Sequence, residues 1–67
     1  MRSLAEKFIE GLKAEVQDQE LMAANIETDA IAHDQIHAFA PYIARIRAQV
    51  AATRDLIHQM KSDEALK

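Results

Sequence analysis

Residues 36–60, IHAFAPYIARIRAQVAATRDLIHQM, decide the fold, because their apolar side chains recur at the spacing of a helix. With Thr53 as the only polar member, the series is Ile36, Phe39, Ile43, Ile46, Val50, Thr53, Ile57 and Met60. Its steps alternate between three and four residues, which is the heptad pattern of helices that bury one side against another helix. The segment therefore predicts a long helix with one apolar stripe.

The N-terminal part of the chain predicts a second long helix. Ser3 and Glu6 have the spacing of a capping box, in which the Ser3 hydroxyl accepts a hydrogen bond from the amide of Glu6. Beyond this cap, large apolar residues fall on one helical face, with smaller ones and Ile9 beside them. They are Leu4, Phe8, Leu12, Val16, Met22 and Ile26, flanked by Ala5, Ile9, Ala23 and Ala30. We expect this helix to cover about residues 3–26.

Two stretches predict interruptions. Residues 25–29, NIETD, contain side chains that bond their own backbone and favour caps, so we expect a break near 26–29 with Thr28 or Asp29 as the next cap. Pro41 removes a helical hydrogen bond and predicts a tight break or a strong kink at 39–41. The expected order is long–short–long, with helices at about 3–26, 29–39 and 41–63 and a frayed C-terminal SDEALK.

Composition limits the fold class. The 67 residues allow a single domain over 1–67, and one Gly, one Pro and 13 Ala favour an all-α chain. A chain of this size buries only roughly 60% of its unfolded surface, and without cysteine it has no disulfide and no thiolate zinc site to stabilise it. We therefore expect a helical hairpin, or a three-segment helical chain, that forms a multi-helix bundle by self-association.

The expected cellular location of the protein depends on two features that the sequence does not predict, a membrane-spanning helix and a targeting peptide. No window approaches 18 consecutive apolar residues, so the sequence predicts no membrane-spanning helix. The N-terminal MRSLAEKFIEG has no long apolar run behind Arg2, which argues against a signal or transit peptide. A cytoplasmic location is the expectation.

Charge divides between the two halves. Residues 1–34 carry eight acidic and three basic side chains, whereas residues 35–67 carry three acidic and five basic ones. Arg47, Arg54 and Lys61 are spaced by seven and flank the Ile/Val stripe, where each can pair with an acidic residue of a facing antiparallel helix. The alternative is a nucleic-acid contact strip, which the net charge of −3 and the lack of a stacking set of aromatic residues disfavour.

The stretch 33–37, HDQIH, raises the question of a metal site. On one helix His33 and His37 would lie four apart on the same face, with Asp29 one turn before them, as the zinc or nickel ligands of a metal-responsive helical protein, which is the alternative function. The same spacing also suits two solvated histidines, which is the interpretation we favour. With two Ser, two Thr and no phosphate loop or nucleophile motif, we expect no enzyme and no cofactor.

Association is the function that the pattern favours. Two amphipathic helices alone do not enclose a core, so a covering partner is expected. We expect a homo-oligomer, with a dimer favoured, or a helical protein partner, and a role as a regulator, adaptor or subunit of an assembly. The predicted association surface is Phe8, Leu12, Ile43, Ile46, Val50 and Ile57.

Overall fold

The computed structural model describes residues 3–65 and the side chains of residues 3–63. It contains two helices, α1 (Leu4–Ala32) and α2 (Ile36–Ala65), which pack against each other as a hairpin. The predicted all-α hairpin is confirmed. The Cα atoms extend over 51 × 19 × 11 Å, so the hairpin is a narrow plate two helices wide and one helix thick. Neither helix in the described part of the chain has a stretch long and apolar enough to cross a membrane.

The first helix begins where the capping pattern predicts. The Ser3 hydroxyl accepts a hydrogen bond from the amide of Glu6 at 3.1 Å, and Ser3 itself has an extended backbone. Glu6 also adds an acidic side chain to the first turn, which the helix dipole favours. The predicted hydrogen bond from the Glu6 amide to the Ser3 hydroxyl is thus confirmed.

The predicted break at 26–29 is wrong, and so is the short helix over 29–39, since α1 continues without interruption to Ala32. Thr28 explains how the helix tolerates this stretch, because its hydroxyl donates to the Ala24 carbonyl oxygen at 3.0 Å instead of capping a new helix. Packing explains why the helix continues. Ile26 is half-buried and Ala30 is buried against α2, and this burial outweighs the local preference for a cap.

The chain reverses at residues 33–35, between the two helices. The Gln35 amide donates to the Ala30 carbonyl at 2.7 Å and the Asp34 amide donates to the Ile31 carbonyl at 3.1 Å, which is the bond pattern of a Schellman motif. Asp34 occupies the left-handed position of this motif with φ 56°, where glycine is the usual residue. The Gln35 carbonyl then accepts from the amides of Ala38 and Phe39, and these bonds start α2.

Of the two alternatives predicted at 39–41, the break is wrong, because Pro41 lies inside α2, while the strong kink stays a prediction. Proline at this position leaves the His37 carbonyl without its helical donor, but both residues are exposed, so water can satisfy that oxygen. Ile36, which is half-buried, and Ile43, which is buried, lie on either side of Pro41 and keep both ends of the segment packed on α1. The long–short–long chain is therefore a long–long hairpin.

The C-terminal end of α2 is longer than predicted. The helix continues through residues 62–65, where the sequence suggests fraying, and ends at Ala65. The last two residues of the SDEALK stretch, Leu66 and Lys67, lie outside the described residues.

The contact between the helices is a seam of regularly spaced buried residues. In both helices a buried side chain recurs every seventh position, and a half-buried one lies three or four residues away. The buried set is Ile9, Val16, Ala23 and Ala30 in α1 and Ile43, Val50 and Ile57 in α2. Leu12 and Met60 pack against the part of this seam farthest from the turn. The seam is thin, and it covers only one edge of each helix.

Candidate interaction surface

The seam divides the hairpin into two broad faces. In each helix, the residue immediately before a buried seam residue lies on one side of the seam, and the residue four positions after it lies on the other. Both faces therefore repeat every seven residues and run the length of the plate. Their chemistry differs, and the difference identifies the candidate interaction surface.

The first broad face, which we name the charged face, consists of Lys13, Glu20, Glu27, Arg47, Arg54 and Lys61. Arg47 Nη1 lies 3.1 Å from Glu27 Oε2, and Arg54 forms an ion pair with Glu20. As the residue number falls in α1 it rises in α2, so these pairs also show the antiparallel packing. The predicted pairing of the basic line with acidic residues of the facing helix is confirmed for both arginines.

The third member of the basic line has a different neighbour. Lys61 faces Lys13 rather than a carboxylate, and the Lys13 amine beside it lowers the pKa of Lys61, through hydrogen bonding first and charge repulsion second. The charged face thus has two cross-helix ion pairs toward the turn and one like-charged pair toward the open end. Its cross-helix charges are largely paired within the chain.

The second broad face, which we name the apolar face, is formed by Phe8, Met22, Tyr42 and Leu56. Each residue immediately precedes a buried seam residue, and the side chains are 54%, 44%, 51% and 43% exposed respectively. A shallow groove of about 200 Å³ runs along this face, with walls that include Met22, Tyr42 and the half-buried Ile46. Large apolar surface is left in contact with solvent on this side of the hairpin.

A polar residue interrupts the seam beside this groove. Gln19 occupies a half-buried seam position, and its side-chain oxygen is buried without a hydrogen-bond partner. A buried acceptor without a partner costs about 1–3 kcal/mol of stability. The lining of the groove is therefore mixed, with the polar Gln19, Arg45 and Gln49 beside Met22, Tyr42 and Ile46.

The six residues predicted as the association surface separate into three environments. Ile43, Val50 and Ile57 are buried in the seam, where they hold the hairpin together and are not available to a partner. Leu12 and Ile46 are half-buried at its edge, and Phe8 is exposed on the apolar face. The structure thus places one of the six predicted residues on the apolar face and two at its edge.

The predicted association surface left out three members of the apolar face, which are Met22, Tyr42 and Leu56. A signal for them was present, because the four members are spaced by 14 residues within each helix and each precedes a seam residue. The prediction assigned Leu4, Phe8 and Met22 to the stripe of α1 because they are large. The structure instead buries Ala23 and Ala30, because small side chains let the two helices approach closely.

The proposed metal ligands do not have the helical spacing on which the hypothesis of a metal site depended. His33 follows the end of α1 and donates through Nδ1 to the Asp29 carbonyl at 2.8 Å, whereas His37 lies in the first turn of α2. The turn separates the two histidines, so they do not form a helical pair four residues apart. Among the described residues, no group of three or more histidine or carboxylate side chains is placed to hold a metal ion.

The geometry as a whole describes an amphipathic plate. One broad face is charged and largely paired within the chain, the other exposes aligned apolar side chains, and a thin seam joins the helices between them. Comparison with protein families, with curated proteins and with solved structures found no match.

Proposed function

We propose that this chain is a small, non-catalytic helical association module, acting as a regulator, adaptor or subunit of a larger assembly and docking through its apolar face. The observation that supports this function is the alignment of four large apolar side chains on one face while the opposite face carries ion pairs. Single exposed apolar residues are ordinary on a protein surface. Several of them aligned on one face are typical of an interaction site.

The internal packing supports the same proposal. A two-helix hairpin buries only one edge of each helix, and helices that sit in a bundle bury a wider stripe that includes the positions flanking the seam. In this chain those flanking positions include large apolar residues on one side only, and these are Phe8, Met22, Tyr42 and Leu56. A helical partner laid on that side gives each helix the wider buried stripe and leaves the charged face in solvent.

The arginine pairs make nucleic-acid binding the weaker candidate. Arg47 and Arg54 already lie against Glu27 and Glu20, so the basic line is accompanied by an equal line of carboxylates. Phosphate binding would require these pairs to open, and the carboxylates would repel the nucleic acid. The charged face therefore supports hairpin formation and solvation better than contact with DNA or RNA.

Site-specific photo-crosslinking tests the proposal directly. A benzoylphenylalanine replaces Tyr42 on the apolar face, and in a matched variant it replaces Ala51, which lines the charged face of the same helix. Both variants are expressed in the cell that makes the protein and irradiated. We expect discrete protein adducts at position 42 and none at position 51, because only the apolar face is held against a partner.

Two results of this experiment count against the function. Equal adduct patterns at positions 42 and 51 would mean that the apolar face has no special role in association. A complete lack of adducts at position 42, with the hairpin shown to be helical by circular dichroism, would mean that the apolar face meets no partner in the cell.

A further inference from the structure

We infer that the occupant of the apolar face is a second copy of this chain, placed so that α1 of one copy lies over α2 of the other. This inference rests on the proposed association function and specifies its partner. It is carried by the repeat of side chains along the apolar face, by the charges at its rim and by the area that it offers.

The apolar face repeats in a symmetric order. Met22 and Tyr42 line one groove, and a step of 14 residues back along α1 and forward along α2 leads from them to Phe8 and Leu56. Half of that step leads to Glu15 and Gln49, both exposed. At about 1.5 Å per residue, an apolar pair, a polar pair and a second apolar pair therefore follow one another at intervals of roughly 10 Å.

This order makes the face complementary to itself. A two-fold axis parallel to the helices, in the plane between the two plates, lays apolar pairs over apolar pairs, and it lays Glu15 over Gln49 of the second copy. A two-fold axis perpendicular to the helices at the level of the polar pair would also lay apolar pairs over apolar pairs, but it would lay α1 over the other copy's α1. A C2 interface requires this kind of self-complementary patch, whereas an unrelated helix has no reason to share the 14-residue spacing.

The rim charges select which helix lies over which. On the apolar side, α1 contributes the carboxylates of Glu15 and Asp18, and α2 contributes the guanidinium of Arg45 at the edge of the groove. Packing α1 over the other copy's α2 brings unlike charges together at both edges. Packing α1 over α1 would bring carboxylates against carboxylates, which costs affinity.

The available area is sufficient for a stable dimer. The broad face of the plate measures 51 × 19 Å between Cα extremes, a projected area of nearly ~1,000 Å² per copy. A standard interface buries about 800 Å² on each partner. Two plates in face-to-face contact make a four-helix bundle, in which the half-buried Leu12 and Ile46 become interior as well.

Because the chain has no cysteine, disulfide trapping gives a clean test. Glu15→Cys chains are mixed with Gln49→Cys chains and oxidised mildly, and each variant is also oxidised alone. We expect the mixed disulfide to form with at least tenfold higher yield than either like-with-like disulfide, since a disulfide needs Cβ atoms within about 4.5 Å. The matched control is a mixture of Ala24→Cys with Ala51→Cys, both exposed on the charged side, which we expect to stay uncross-linked.

Sedimentation of the unmodified chain completes the experiment, and we expect twice the mass of one chain. Like-with-like disulfides of Glu15→Cys in a dimer would overturn the arrangement of α1 over α2. A monomer at all concentrations would overturn the second copy as the occupant. The association function itself fails only if the position 42 photo-adducts are missing or equal those at position 51, so the two failures are distinguishable.

Discussion

The two broad faces of the hairpin flank the same seam and repeat with the same seven-residue period, yet one is closed within the chain and the other is open. On the charged face, Glu20 and Glu27 already hold their arginine partners across the helices. On the apolar face, Phe8 and Tyr42 remain about half exposed. The comparison teaches that two helices can satisfy charge on one side by themselves but cannot enclose apolar surface on the other.

The energetic scale of the two faces also differs. Exposed ion pairs contribute about 0.2–1 kcal/mol each and weaken with salt, whereas apolar burial contributes about 25 cal/mol for each Å² removed from water. Changes on the charged face therefore alter the stability of the hairpin by small amounts. Covering the apolar face contributes the larger free energy. Substitutions at the edge of the apolar face and on the charged face test this difference in free energy.

The largest expected effect is that of Ile46→Asp, which brings a charge to the boundary between the seam and the apolar face. Ile46 is half-buried and lines the apolar groove, so a carboxylate there loses hydration without gaining a partner. We expect a loss of about 3 kcal/mol or more in the free energy of unfolding, enough to unfold so small a chain and dissociate its assembly. Circular dichroism and sedimentation measure both effects.

The control for Ile46→Asp is Ala48→Asp, which adds the same charge at an exposed position of the same helix. It should leave the helix content and the mass unchanged. If Ile46→Asp behaved like this control, position 46 would belong to neither the seam nor the interface.

The second prediction removes the polar interruption between the seam and the apolar groove. Gln19→Leu replaces a buried oxygen without a partner by an apolar side chain of similar length, and we expect the hairpin to gain about 1–3 kcal/mol. Urea unfolding measures the gain. Gln17→Leu, at an exposed position on the charged side, should change stability little, and a similar gain in both variants would contradict the seam assignment of Gln19.

The third prediction concerns the turn at residues 33–35, which joins the two helices and belongs to neither broad face. Asp34 holds a left-handed backbone with φ 56°, which costs a residue with a Cβ atom roughly 1 kcal/mol relative to glycine. We therefore expect Asp34→Gly to raise the free energy of unfolding by up to about 1 kcal/mol. Thermal unfolding measures this gain. Asp34→Ala keeps the Cβ atom and should give no gain, so equal stabilisation by both variants would exclude backbone strain as the cause.

The smallest expected effect is on the charged face. Lys61→Glu replaces the like-charged contact with Lys13 by an ion pair, and we expect a small rise in melting temperature at low salt that disappears at high salt. Lys7→Glu makes the same charge change at an exposed position of α1 and provides the control. A rise that persists at high salt would point to packing rather than charge.

The pH dependence of the same site has a defined sign. The pKa of Lys61 is lowered in the folded chain, so the unfolded chain holds the proton more tightly and the repulsion is fully present below the folded pKa. As the pH rises through the lowered pKa of Lys61, the repulsion is lost and the wild-type chain gains on the Lys61→Glu variant. The difference between the two melting temperatures should shrink over that alkaline range.

The predictability of the two helices differed for a physical reason. In α2 the seam is made of large apolar residues at heptad spacing, and Ile43, Val50 and Ile57 of the predicted stripe are buried in it. In α1 the buried set includes Ala23 and Ala30, while the larger Phe8 and Met22 remain exposed. Residue size indicates a seam only where the helices leave room for large side chains, and it misleads where they approach closely.

The candidate surface was only partly predictable for the same reason. Leu12 and Ile46 follow from the heptad pattern at the edge of the seam, and Phe8 was expected in the association surface. Tyr42 and Leu56 became visible as members of a face only when the seam of α2 was placed against the true seam of α1. A flanking position has a defined environment only after the partner helix is known.

The sequence by itself determined the helical class, the heptad stripe of α2, the start of α1 at its Ser3 cap and the division of charge between the helices. These features depend on local propensity and periodicity, which act within a few residues. The tertiary structure alone decided that α1 runs on to Ala32, that Pro41 stays inside α2 and that Phe8 faces solvent. Each of these depends on the free energy of packing one helix on the other, and that packing outweighs local preferences for caps and breaks.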